Sequence, residues 1–414
     1  MTIEKFTIGM GDRFGHQGNA QLESVARANA AGIPVFPTWN KSNREHTIIG
    51  TEPSSLRAEA DAAVAALGWK GAYYVDADHI GLATVDRFLE ASNFFTLDVA
   101  DYTGKSAEAP ALDAFVEKHK GWATRVEIAG LSEPLCLKEE ALRAVAAKFL
   151  LAIQKAGSIY RHVEKAKGAG NFVTEVSIDE TDSPQTPAEL LLILAMISDE
   201  GIPAQTVAPK FTGRFNKGVD YVGDIAKFEK EFEEDILVIA HAVSAFGLPS
   251  SLKLSVHSGS DKFSLYPVIN RLVKKHGCGL HVKTAGTTWL EEVIGLAEAG
   301  GEGLAIAKEI YAGALPHFDE LVGPYAAVVD ISPARLPEAS TVAGWTGEEF
   351  AAALRHDQTC AAYNADFRQF IHVSFKVAAK LGARYTDALK ANSAIIARNV
   401  TGNLLDRHIH PVFG

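Results

Sequence analysis

Short apolar runs alternate with polar clusters and amphipathic stretches through the first three hundred residues. The runs are Phe6–Met10, Ile33–Phe36, Ala72–Val75, Phe94–Leu97, Phe172–Ile178, Gln205–Val207, Leu252–Val256 and Leu280–Val282. Their few polar interruptions suit parallel strands buried on both faces. Between them lie helix patterns with recognisable ends. Asn19–Ala31 stops before Gly32, Ser55–Leu67 before Gly68 and Ile225–Phe246 before Gly247, where glycine can take the left-handed cap. Thr186-Pro187-Ala188-Glu189 reads as a capping box with proline at the first helical position, and Thr288-Trp289-Leu290-Glu291 as a second box. Eight strand–helix repeats predict an α/β fold, a closed (β/α)8 TIM barrel over residues 1–300. An open dinucleotide-binding sheet is disfavoured, because Met10-Gly11-Asp12-Arg13-Phe14-Gly15 is not GxGxxG.

Two regions fall outside the repeat. Residues 100–170, a polar loop and helices including Glu139–Lys167, read as a helical insertion after the fourth strand. Residues 301–414 read as a helical C-terminal extension packed on the barrel, interrupted by the turn-rich stretch Asp330–Thr346.

Composition narrows the setting. Hydrophobic residues are 47% and charged residues 22% of 414, ordinary for a chain with a large core. The formal charge of −11 argues against a nucleic acid or an anionic membrane as partner, but leaves room for a small anion in a local cationic pocket. Cys136, Cys278 and Cys360 form no pairing pattern, which points to the reducing cytoplasm. The first residues lack a basic and then apolar leader pattern. Apolar stretches such as Leu190–Ile197 are far short of the ~20 residues a membrane helix needs. A homo-oligomer is compatible with all this; nothing in the sequence sets the assembly state.

In a barrel, the C-terminal ends of the strands form the reactive face. His79, His257 and His281 stand at or near the ends of three strands. Three such imidazoles can converge on one divalent metal ion, with zinc, nickel, cobalt, manganese and iron all suited to the ligands. Any one of them alone is more often a hydrogen-bonded structural residue. Glu175, a carboxylate inside the run Phe172–Ile178, fits a fourth ligand, a general acid or base, or a salt-bridge partner. Asp78 should point away from His79 on an extended chain. It suits a base beside the metal or a loop hydrogen bond, with Asp76 competing for either role. Lys283 should share the face of His281 and could bind a carboxylate or sit on a solvated rim. Asp12, Arg13, Arg214, Asp261 and Lys262 are further candidates for substrate contact, with Arg13, Arg214 and Lys262 suited to carboxylate capture. The turn Ser258–Lys262 precedes a helix, where backbone N–H groups favour an anion. The histidines of the loops and the C-terminal third read as structural or surface residues. Among them His372 is the one that covering helices could bring over the barrel mouth.

These residues fall in longer strings. Gly11-Asp12-Arg13-Phe14-Gly15, Asp76-Ala77-Asp78-His79, Glu175-Val176-Ser177-Ile178-Asp179-Glu180-Thr181, Lys217-Gly218-Val219-Asp220-Tyr221, His257-Ser258-Gly259-Ser260-Asp261-Lys262-Phe263-Ser264 and His281-Val282-Lys283-Thr284-Ala285-Gly286-Thr287 occur in this order. The chain thereby resembles the tagaturonate epimerases over about residues 8–295, and again at Phe370–Ser374. That resemblance implies a metal-dependent interconversion of D-tagaturonate and D-fructuronate in hexuronate breakdown. It also implies Asp78 as proton acceptor, Glu175 as proton donor, and His79, His257 and His281 as ligands of one divalent metal ion. Two departures stand out. The family carries a longer segment ahead of the first strand. It also has a histidine after the second aspartate in the stretch matching Asp98-Val99-Ala100-Asp101-Tyr102-Thr103, so the sugar preference here could differ.

The two uronates differ at the carbon β to the ketone, which removal of an α proton cannot invert. Retro-aldol cleavage with rotation of the aldehyde, or migration of the carbonyl through enediols, remain open, and both need an acid and a base. Rival readings are a related ketose 4-epimerase of the fructose/tagatose type, a metal-dependent aldolase on the same barrel, and a non-catalytic sugar-acid binder.

Overall fold

The computed structural model describes residues 1–179, 181, 183–257, 261–284 and 286–414. In chain order its strands are β1 (Phe6–Met10), β2 (Phe36–Ser42), β3 (Tyr74–Ile80), β4 (Phe94–Asp98), β5 (Arg125–Val126), β6 (Leu135–Cys136), β7 (Val173–Ser177), β8 (Thr206–Ala208), β9 (Lys253–His257) and β10 (Leu280–Lys283). All but β5 and β6 form one closed parallel barrel, running β1-β2-β3-β4-β7-β8-β9-β10 and back to β1. This is the (β/α)8 architecture expected from the repeat. The small antiparallel pair β5–β6 lies in the connection between β4 and β7.

Six barrel strands match the apolar runs to within a residue or so. The second and third do not. The run Ile33–Phe36 is followed, not formed, by β2, and β3 extends through Asp76, Asp78 and His79. The physical reason is the barrel interior near its mouth. There the inward side chains are polar yet buried: Thr38, Asn40, Asp76, Thr96, Glu175 and Lys283. A strand with such a polar inner edge has no apolar run to betray its end.

One irregularity matters for the site. The β3–β4 register shifts between Ala77 and Ile80, and His79 adopts φ +53, in the left-handed region that a non-glycine residue seldom takes. Extended chain would send Asp78 and His79 to opposite faces. The bulge instead turns both toward the mouth, where His79 Nδ1 lies 2.9 Å from Asp78 Oδ1.

Helices cover the outside. Glu139–Lys167 buries Leu142, Ala146, Phe149, Ile153, Ala156, Tyr160 and Val163, a stripe at helical spacing, and packs on β4 and on helix Pro187–Asp199. It thus occupies the place of the barrel helix between β4 and β7, and the material inserted ahead of it is the stretch bearing β5 and β6. Thr186 caps the Pro187 helix through the expected box with Glu189. The second expected box does not form. Helix Thr287–Ala299 begins two residues early, with Gly286 at its N-cap and no side-chain cap. Thr288 Oγ1 instead accepts from Gln21 Nε2 at 2.9 Å, and Glu291 pairs with Asn403. That helix is buried on every side from Thr287 to Ala297, because the C-terminal helices enclose the face it does not press on the barrel. Ser393–Gly402 packs against it and against helix Gly18–Ala30. Among the described residues no helix is long and apolar enough to cross a membrane.

Candidate active site

At the centre of the barrel mouth stands Lys283, nearly fully buried on β10. Its Nζ lies 2.8 Å from Asp76 Oδ2, 2.9 Å from Asp78 Oδ1 and 2.9 Å from Glu175 Oε1, and donates to Thr96 Oγ1 at 2.5 Å. Thr96 in turn lies within 3.2 Å of both Asp76 and Glu175. Three carboxylates and one ammonium taken out of water together are tolerable only because each has a charged partner. Burial pushes all three acids up, and the Lys283 charge opposes it. For Asp78 the Lys283 and His79 cations win and hold it below the usual carboxylate range. Glu175 is likewise held well below by Lys283 and His257. Asp76, with two acid neighbours and no histidine, stays pushed up to about 7. Lys283 itself is held above its ordinary value against burial by the acids.

Above this network sit His79 and His257, their ring centroids 5.1 Å apart. His257 Nε2 meets Glu175 Oε1 at 2.8 Å and its Nδ1 meets Asp179 Oδ2 at 3.0 Å. His79 Nε2 lies 3.6 Å from Asp179 Oδ1. Ligand-type atoms of His79, Asp179 and His257 all fall within 4.8 Å of one another. Two imidazoles and a carboxylate are a donor set that suits a divalent transition ion, and the Asp78–His79 and Glu175–His257 contacts have the form of carboxylates that orient ligating imidazoles. Burial opposes charging of His257, but Asp179 and Glu175 outweigh it and push the ring up to about 9; Asp78 and Asp179 do the same for His79. The space between the acids therefore favours positive charge.

The expected third ligand lies elsewhere. His281 is fully buried on β10, its Nδ1 2.7 Å from Thr7 Oγ1 and its ring against Phe94 at 5.3 Å. It sits two residues before Lys283, a layer deeper in the barrel, and burial holds it neutral at about 3. Asp179, one of the post-strand residues of the sequence but not singled out there, is the group that joins the two histidines.

A model of the tagaturonate epimerase family matches residues 1–392. The chain belongs to the tagaturonate epimerase family. It is an enzyme of the epimerase class, which sets aside the non-catalytic binder. A curated relative, the tagaturonate/fructuronate epimerase of Thermotoga maritima, is 29% identical over 97% of this chain and 80% of its own. Two crystal structures of the fructuronate-tagaturonate epimerase of Cohnella laeviribosi share its fold. The one with two glycerols has a TM-score of 0.80 at 24% identity, covering 100% of this chain and 82% of that one. The one with one glycerol has 0.78 at 24%, covering 98% and 82%.

The remaining candidates of this epimerase divide by what they touch. Arg13 is buried beside the mouth, with Nε on Glu45 at 3.1 Å, Nη1 near the His372 carbonyl at 3.3 Å and its plane over Phe375 at 4.2 Å. Asp12 is turned inward instead. Its carboxylate accepts from the backbone N–H groups of Phe14, Gly15, His16 and Gln17, which shapes the loop after β1. Asp261 accepts from Arg368 at 2.5 Å and lies 3.2 Å from both His356 and His408, tying the extension to the barrel. Lys262 Nζ donates to the carbonyls of Asn216 and Val219 at 2.9 and 2.7 Å, bracing the loop after β8. Arg214 is more than half exposed and pairs with Asp330 at 3.1 Å. Polar side chains on a rim can satisfy protein as readily as a substrate: residues 301–414 claim Asp261 and Arg214, and the barrel's own loops claim Asp12 and Lys262. The residues Glu180 and Ser258–Ser260 of the matched strings lie outside the described residues. A cavity of about 580 Å³ opens at the opposite end of the strands, lined by Ile3, Lys5, Leu252, Lys253 and Cys278. It lacks the paired carboxylates of the mouth, and barrels conduct their chemistry at the other face.

Proposed function

We propose that this enzyme interconverts D-tagaturonate and D-fructuronate at the barrel mouth, with a divalent cation held by His79, His257 and Asp179. The observation that carries this is the buried cluster in which Lys283 joins Asp78 and Glu175 directly beneath two imidazoles. A divalent cation there would supply Lewis-acid polarisation of the substrate's oxygens. Asp78 and Glu175 act as the proton-handling pair. Both are ionised when the cycle starts, so each gives up a proton only after taking one. Whichever of them takes a substrate proton returns it before the cycle closes, so no net proton is needed in either direction. Lys283 holds them charged and a few ångströms apart. Its positive charge also stabilises a nearby oxygen that becomes anionic, whether a C–C bond opens and recloses or the carbonyl migrates. The acid substrate and the free cysteines Cys136, Cys278 and Cys360 suit a cytoplasmic sugar-acid catabolic step.

The test is turnover of purified protein with tagaturonate, fructuronate, tagatose and fructose after stripping and reloading with zinc, nickel, cobalt, manganese or iron. Interconversion confined to the two uronates, lost on chelation and restored by metal, is expected. Turnover of tagatose or fructose alone would favour the ketose 4-epimerase, and release of cleaved three-carbon products the aldolase. No turnover of either uronate with any metal sinks the reading.

A further inference from the structure

Helix Thr287–Ala299 starts at the mouth face, four residues beyond Lys283. Its N-terminus has no side-chain cap, so backbone N–H groups and the positive end of the dipole meet the space around Gly286. Two side chains converge on that space. A Cβ built on Gly286 would lie 2.2 Å from His372 Nε2 and 3.2 Å from Arg13 Nη2. The His372 ring therefore stands where a Cβ on Gly286 would be, and with φ +90 only glycine lets the imidazole approach the helix start this closely.

His372 comes from helix Ala365–Val373, whose neighbouring Ile371 carbonyl accepts from Trp289 Nε1 at 2.9 Å. That bond docks the covering helix across the start of the Thr287 helix. The His372 ring is about 1% exposed, and neither of its nitrogens has a hydrogen-bond partner among the described residues. A buried ring left without partners is unfavourable, and a bound acceptor would pair with its N–H. Burial first, then the cations Arg13, Lys217, Arg368 and Lys262, hold the ring neutral. Two carboxylates lie nearby: Glu45 pairs with Arg13 through Nε at 3.1 Å, and Asp261 is committed to Arg368, His356 and His408, reaching the helix through the Thr287 hydroxyl at 3.5 Å. A neutral imidazole among cations, beside an uncapped helix start, is a site for an anion with several acceptor oxygens.

We propose that the uncapped start of helix Thr287–Ala299, flanked by His372 and Arg13, receives the carboxylate of the substrate and sets the preference for sugar acids over neutral ketoses. This rests on the epimerase reading for the identity of the substrate, but not for the existence of the receptor. It makes His372 a binding residue, contributed by the C-terminal extension to a site built otherwise on barrel loops. A neutral ketose would leave the same donors without an acceptor.

Calorimetric binding of D-tagaturonate and D-tagatose, with steady-state kinetics on the uronate, tests it in the intact chain. In the wild type the acid should bind at least about tenfold more tightly than the ketose. His372→Phe keeps the ring's shape but removes its donors. It should raise KM for tagaturonate about tenfold or more and abolish the preference, while kcat stays within a few-fold. His372→Gln, which restores an N–H donor, should recover part of the preference, and thermal melts identify a variant that fails to fold. Arg13→Met, which keeps packing on Phe375, should act in the same direction if His372→Phe cannot be purified. Equal binding of acid and ketose by the wild type would overturn the proposal. So would an equal loss of both ligands in the variants, or a fall in kcat at constant KM. A wild type that prefers the acid, loses that preference on His372→Phe, yet never epimerises it would uphold the receptor and remove the reaction.

Discussion

Replacing Lys283 with Met removes the one cation that touches three buried carboxylates while filling nearly the same volume. The wild-type contacts are 2.8 Å to Asp76 and 2.9 Å to both Asp78 and Glu175. Removing one partner of a buried ion network leaves uncompensated charge and costs about 3–5 kcal/mol. The cost depends on pH, and its sign is fixed by Asp76. That group is already raised by burial to about 7 with Lys283 present, against about 3.9 for an unfolded aspartate. An acid whose folded value is raised binds more protons folded than unfolded between those two values. Stability therefore falls as pH rises through that window. Without Lys283 the folded values of Asp76, Asp78 and Glu175 all move up, so the window widens toward alkaline pH. The variant should thus be about 3–5 kcal/mol less stable than wild type near pH 8.5, and the gap should shrink by up to about 1.4 kcal/mol for each pH unit of acidification over which one such acid gains its proton. Urea unfolding of both proteins at pH 8.5, 7 and 5.5, with slopes compared to exclude a change in the unfolded state, measures this. A gap under about 1 kcal/mol at pH 8.5, or one that does not narrow on acidification, would refute the account of Lys283 as the counter-charge of the site.

Glu175→Gln should lower epimerase kcat by about 10²–10⁴ while the melting temperature stays near wild type, since the amide keeps the shape but cannot take up a proton; activity within threefold of wild type removes Glu175 from the proton-handling pair. His257→Ala should abolish retention of a divalent cation after dialysis, whereas His281→Asn, remote from the imidazole–carboxylate group, should retain one equivalent by elemental analysis. The reverse pattern would return His281 to the ligand set. Asp261→Asn leaves the buried Arg368 without its carboxylate and should destabilise the docking of the extension by about 3–5 kcal/mol, read as faster proteolysis within residues 301–414; unchanged cleavage would show that Asp261 does not hold the extension.

The barrel was legible because buried parallel strands need continuous apolar residues, and helices announce their ends with glycine and capping boxes. That logic failed where function replaced core. Thr38, Asn40, Asp76 and Asp78 are inward strand residues, and their polarity hid the extents of β2 and β3. Within the site, Glu175 stood out as a charge inside an apolar run, and Lys283 as a cation in step with His281. Asp179 carried no comparable signal, since any loop residue after a strand can be acidic. The apparent capping box at Thr288 misled because Gln21 and Asn403, remote in sequence, claim its two side chains.

Local periodicity and residue chemistry were enough to set the strand count, the reactive end of the barrel and the two histidines that meet there. Which imidazoles stand together at the mouth, and which acid stands beside them, depended on a bulge at His79 and on the depth of His281 in the barrel, neither of which has a local sequence cost that reveals it. The fate of Asp261, Arg214 and His372 depended on residues 301–414 closing over the rim, and that of Asp12 and Lys262 on the barrel's own loops. A rim side chain turns to substrate or to protein according to what packs above it, and that is a property of contacts between segments a hundred or more residues apart.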